Sequence, residues 1–151
     1  MIPLERFCAE CDNGTDVIEN PSGLNDGFIY ATDRRVIIRV PGEFPNTPGF
    51  PKKAAELFRE FESDLPWIDI PEVPPLVITQ VRCLECGNSS QECVDNPVGM
   101  KIGNQIIAKP YLRLMKEFLP GVKIQLQPDP LAPVKIKFDG GIGLLMPMNS
   151  K

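Results

Sequence analysis

Apolar and polar residues alternate without a break in VKIQLQ (122–127) and PVKIKF (133–138). A period of two puts one apolar and one polar face on each stretch, the pattern of a half-buried strand. FIYA (28–31) and RVIIRV (35–40) are rich in β-branched and aromatic residues and flank a Thr-Asp-Arg turn, which predicts a hairpin. Further strands are expected at 76–82 (LVITQVR), 98–102, 105–108 and 142–148. The last of these is unusual, because GGIGLLMPMNSK puts an apolar run at the very end of the chain, where residues are usually polar and loose. Such a tail must be paired, buried or offered to a partner. The alternation upstream makes it the closing strand of a sheet, with Gly140 and Gly141 as the turn before it.

Two segments follow a helical period instead. In PKKAAELFREFESDL, Ala54, Leu57, Phe58, Phe61 and Leu65 recur at helical spacing, and Pro51 suits a helix start. In AKPYLRLMKEFLPG, Leu112, Met115, Phe118 and Leu119 form the apolar face, Pro110 sits in the first turn, and Pro120-Gly121 ends the helix. Prolines separate these elements, clustering at 41–51, 71–75 and 128–133. Strands grouped with two amphipathic helices predict an α+β fold, mainly an antiparallel sheet, in a single domain spanning 1–151.

Composition narrows the function classes. The chain is 42% hydrophobic and 24% charged, and no stretch approaches the roughly 18 apolar residues of a membrane span, so a soluble protein without membrane partners is expected. MIPLERFC has no basic region leading into an apolar one, which predicts a cytoplasmic protein with reduced thiols. A net charge of −4 argues against nucleic-acid binding by bulk electrostatics, so any such contact must be local. The chain has no histidine, which excludes catalytic triads built on imidazole and histidine-containing metal centres.

Four of the five cysteines form two CxxC pairs, Cys8/Cys11 and Cys83/Cys86. The two-residue spacing lets both thiolates of a pair reach one ion, so the pairs predict a structural four-thiolate zinc site with knuckles near 8–11 and 83–86. The long segment between them exceeds that of a compact ribbon, so the site would staple the N-terminus to a loop between strands. Iron–sulfur ligation, a redox dithiol and unrelated buried thiols are the alternatives, and Cys93 is a spare ligand.

From GNQIIAKPYLRLMKEFLPG through VKIKFDGGIGLLMPM, the sequence resembles the closing segment of the bacterial DNA polymerase III sliding clamp, the beta subunit. Tyr111-Leu112 and Met146-Pro147-Met148 stand where that family carries a Tyr-Leu pair and a terminal Met-Pro-Met. Ala31, Thr32, Asp33 and Arg35 are similar to its Ala-Thr-Asp-Gly-His-Arg turn, without the glycine and histidine. Family clamps hold three such domains and no cysteine knuckles, so the resemblance is to a single-domain relative of the kind a phage or mobile element would encode.

The resemblance implies a non-enzymatic replication or repair accessory domain. Thr32, Arg35, Met146, Pro147 and Met148 would edge an apolar groove for linear peptides of replication or repair proteins. Methionine's flexible, polarizable side chain suits that role. Two helices on one inner face would present Lys52, Lys53, Arg59, Lys109, Arg113 and Lys116 to duplex DNA without reading its sequence. A ring would need several copies joined through sheet edges. Two readings stand beside this one: a zinc-ribbon adaptor whose knuckles are the interaction surface, and an enzyme using carboxylates such as Asp33, Asp69 or Glu72.

Overall fold

The computed structural model of the chain describes residues 2–8, 20–59, 61–94 and 97–149, with backbone alone at 79, 81 and 92–94. Its strands are β1 (Ser22–Gly23), β2 (Phe28–Thr32), β3 (Val36–Pro41), β4 (Ile68–Asp69), β5 (Val77–Arg82), β6 (Ser89–Val94), β7 (Gly99–Ile102), β8 (Gln105–Ala108), β9 (Lys123–Gln125), β10 (Val134–Phe138) and β11 (Gly141–Leu145). The main sheet runs β1-β2-β3-β11-β10-β9-β4, with every neighbouring pair antiparallel. β5–β6 and β7–β8 are separate hairpins. Helix α1 (Lys109–Phe118) and a 3-10 segment (Lys52–Phe58) complete the α+β fold that the periodicities predict, and a short 3-10 turn spans Leu4–Phe7. No helix among the described residues is long and apolar enough to cross a membrane.

The apolar tail is a central strand. β11 pairs with β10 on one side, Val134 opposite Leu145, and with β3 on the other, Val36 opposite Leu145. Its composition follows from that position, since both of its faces are covered. Gly143 is required by the close approach of β3, because a Cβ there would lie 2.8 Å from the backbone oxygen of Ile37. Beyond Leu145 the chain leaves the sheet: Met146 N–H donates to Arg35 O at 2.8 Å and Met148 N–H to Ile106 O at 2.7 Å. The closing strand is therefore shorter than 142–148, and the Met-Pro-Met segment crosses from the β2–β3 turn to β8.

Alternation along the strands splits the core in two. Ala31, Val36, Ile38, Ile136 and Leu145 face one way and pack with Leu112 and Met115 of α1 and Leu119 just beyond it, beside Phe7 and Cys8. Tyr30, Ile37 and Leu144 face the other way and pack with Phe50, Ala54, Phe58 and Phe61. The two helical segments therefore cover opposite faces of the sheet.

The segment read as a helix over 51–65 is a helix only at Lys52–Phe58. Beyond it, sheet side chains take over the backbone acceptors: Lys135 Nζ donates to Phe61 O at 2.8 Å and Gln125 Nε2 to Leu65 O at 2.6 Å. These carbonyls bond across to the sheet instead of along a helix, and the chain runs on to the edge strand β4. The same segment roofs the polar face of the alternating strands. The Arg39 guanidinium lies 4.5 Å from the Phe58 ring centroid and the Lys135 ammonium 5.7 Å from that of Phe61, so these cations stack on aromatic rings.

Candidate functional site

The turn between β2 and β3 is fixed by its own side chains. The Asp33 carboxylate accepts the N–H groups of Arg35 and Val36, each at 2.9 Å. Thr32 Oγ1 accepts the Arg34 N–H at 3.0 Å and donates to Val36 O at 2.7 Å. Together they hold Arg34 at a φ of 82°, a left-handed conformation a non-glycine residue keeps only when the surroundings over-determine it. The second Asp33 oxygen accepts the Tyr111 hydroxyl from α1. Burial, reinforced by the Asp33 carboxylate, raises the Tyr111 phenol well above its ordinary range, so it stays a donor at any ordinary pH.

Beside this turn lies an apolar cleft of about 500 Å³, within the size range of ligand pockets. Its floor and walls come from Val36, Ile37 and Leu144 of the sheet, Phe50, Ala54 and Leu57 of the segment across it, and Pro133. Thr32, Arg35 and Met146 line it as well. The bond from Met146 N–H to Arg35 O joins the Thr-Asp-Arg turn to the Met-Pro-Met segment, two stretches far apart in sequence. Arg34, Arg35 and Lys53, all exposed, bring three cations to the cleft, and among the described residues no carboxylate lines it. Met146 and Leu57 are 50% and 56% exposed, the accessible apolar side chains of the wall.

Comparison with protein-family models, curated proteins and solved structures gives no match for this chain. The site is therefore read from its own geometry.

Of the five groove residues expected from the sequence, three line the cleft and two do not. Met148 is bonded through its backbone to β8, and its sulfur packs against Gly99, which draws it away from the cleft. Pro147 is the link between Met146 and Met148 and lies outside the lining. Sequence reasoning missed the far wall, because Ala54 and Leu57 read there as one helix face and Phe50 as part of the proline-rich break at 41–51. Leu144 serves both as core and as cleft wall.

The six cations expected to share a DNA-facing surface are divided. Lys52, Lys53 and Arg59 belong to the segment on one face of the sheet, and Lys109, Arg113 and Lys116 to α1 on the other. Lys109 is only 6% exposed, and the Arg113 guanidinium donates to Pro74 O. Arg113 and Lys116 flank a shallow depression together with Glu72 and Glu117, whose carboxylates offset their charge. Arg59 pairs with Glu56 at 3.8 Å, and Lys53 lines the cleft. The inner face expected from the resemblance is not formed, because the apolar positions of the two segments point into different cores.

Cys8 is buried in the main core, its thiol 3.7 Å from Leu4 O, and burial pushes it up to about 11. Cys11 lies outside the described residues. Cys83 and Cys86 are exposed in the turn of the β5–β6 hairpin. Among the described residues no group of three or more cysteine or carboxylate side chains is placed to hold a metal, so the staple expected from Cys8, Cys11, Cys83 and Cys86 is not assembled there. Of the carboxylates considered for catalysis, Asp33 is spent on the turn, Asp69 pairs with Lys123 at 3.2 Å, and Glu72 is exposed.

Proposed function

We propose that this chain is a non-catalytic, clamp-like peptide-capture domain of DNA replication or repair, whose cleft takes a short linear segment of a partner protein. One observation carries the reading: the Thr-Asp-Arg turn and Met146, the first residue of the Met-Pro-Met segment, come from the two stretches that resemble the sliding clamp and meet at one apolar cleft. Its volume admits a few apolar side chains, and the methionine on its wall can adapt to several of them. The three cations fit carboxylates flanking those side chains. The link to replication or repair rests on the resemblance. Duplex DNA is a weaker candidate, since its cations do not share a face.

Selection of short peptides from a displayed random library tests this, with affinities then measured by fluorescence anisotropy. Selected peptides should carry two or more apolar residues with an acidic neighbour. Met146→Lys should weaken them at least tenfold, whereas Met148→Lys, outside the cleft, should change binding less than threefold. Failure to select any peptide, or equal binding by Met146→Lys, would sink the proposal.

A further inference from the structure

The turn of the β5–β6 hairpin carries chemistry that the cleft does not use. Cys83-Leu84-Glu85-Cys86-Gly87-Asn88 closes the hairpin through Cys83 N–H donating to Asn88 O at 2.8 Å and Gly87 N–H donating to Cys83 O at 2.9 Å. Gly87 holds a φ of 71°, which lets the chain turn back immediately after the second cysteine. The N–H groups of Cys86 and Glu85, together with the Cys86 thiol, are directed at the Cys83 sulfur. Both thiols are free and exposed, as is Leu84 between them.

A tight turn that aims backbone N–H groups at one sulfur and sets a second thiol beside it is prepared for a thiophilic ion. We propose that Cys83 and Cys86 form a metal knuckle that supplies two thiolates to a tetrahedral zinc ion, with two further ligands coming from outside the hairpin. Each thiol gives up its proton to solvent as its sulfur–zinc bond forms. Cys93 does not complete the site. It lies opposite Ile78, four residues up β6 from Ser89, which at the rise of an extended strand is about 13 Å from the turn. Cys8 does not complete it while its thiol stays bonded to Leu4 O in the core.

The test is zinc retained by reduced protein after loading and desalting, with cobalt as the spectroscopic probe of thiolate ligation. Wild type should retain zinc, and its cobalt form should show thiolate-to-metal charge transfer. The double variant Cys83→Ser, Cys86→Ser should lose both, and Cys93→Ser should keep both. One zinc per chain that disappears in Cys11→Ser supports the site with the N-terminal pair as co-ligand. One zinc per two chains, with a doubled mass that falls on chelation, supports it with the second copy. Wild type retaining no zinc, or the double variant loading like wild type, would overturn the inference. The knuckle is exposed, so the double variant should keep the thermal midpoint of the metal-free wild type and bind cleft peptides unchanged, which separates this outcome from failure of the peptide-capture reading.

Discussion

Asp33 shows how much one side chain can organise. Its carboxylate closes the β2–β3 turn through two N–H groups and receives the Tyr111 hydroxyl from α1, so it ties the cleft wall to the helix beneath the opposite face of the sheet. Replacing it with alanine leaves those donors without their acceptor, at a cost of about 1 to 3 kcal/mol. Asp33→Ala should therefore lower the denaturant midpoint and weaken peptide binding, because Arg34 and Arg35 lose their fixed positions. Equal stability of the variant and wild type would show that water replaces the carboxylate. Cys8 gives a second test at this scale. Burial lifts its thiol from 9.0 to about 11, so between those values the unfolded chain has released its proton while the folded chain still holds it. Folding then binds a proton, and stability falls as pH rises from about 9 to 11, levelling above that. Tyr30, raised to about 12 by burial, titrates in the same direction nearby, so the readout is a difference. Denaturation of wild type minus that of Cys8→Ala should show this decline, and the Cys8→Ala curve alone should be flatter there.

At the scale of elements, the sequence was legible wherever local pattern and tertiary role agree. α1 is bounded by Pro110 and Pro120-Gly121, and its apolar stripe faces one core, so periodicity and fold coincide. The β2–β3 hairpin, β10 and β11 follow for the same reason. Over 51–65 the helical spacing was real but its apolar residues serve two places. Phe58 goes to the sheet, Leu57 to the cleft and Ala54 to both. Acceptors bonded from Lys135 and Gln125 on other strands then decide the backbone, and no local pattern announces them. Half of the candidate site was legible through Thr32, Arg35 and Met146. Its far wall was hidden in a segment whose exposure depends on what it packs against. Two leucines separate the roles. Leu112 is fully buried, and Leu112→Ala should cost about 2 to 5 kcal/mol in chemical denaturation while leaving cleft geometry unchanged in the fraction that stays folded. Leu57→Asp should change stability by less than about 0.5 kcal/mol, as exposed positions do, and cost at least tenfold in peptide affinity. Strong destabilisation by Leu57→Asp would make that residue core and remove it from the binding surface.

For the whole molecule, the distribution of charge decides what kind of partner the fold can hold. The chain is acidic at −4, yet the cleft is lined by Arg34, Arg35 and Lys53 with no carboxylate among its described lining residues. None of these three forms an ion pair among the described residues, so their field is directed outward, against the net charge of the protein. Assembly into a ring has little to build on, because the edges of the main sheet, β1 and β4, are two residues each and expose few ladder groups. An anionic ligand should therefore be drawn to this one site, not spread along a basic face. Screening falls with a Debye length of about 10 Å at 0.1 M salt, so exposed cations act mainly on charges close to the bound segment. Peptide affinity should decline as salt is raised from 0.05 to 0.5 M, on the order of several-fold, through slower association. Arg34→Glu with Lys53→Glu should remove that dependence or reverse it, and should favour peptides whose flanking acids have been replaced by lysine. Stopped-flow association rates across a salt series measure this directly. Binding that is indifferent to salt in wild type, with the double charge reversal equally tight, would assign recognition to the apolar floor alone and leave the cations without a part in choosing the partner.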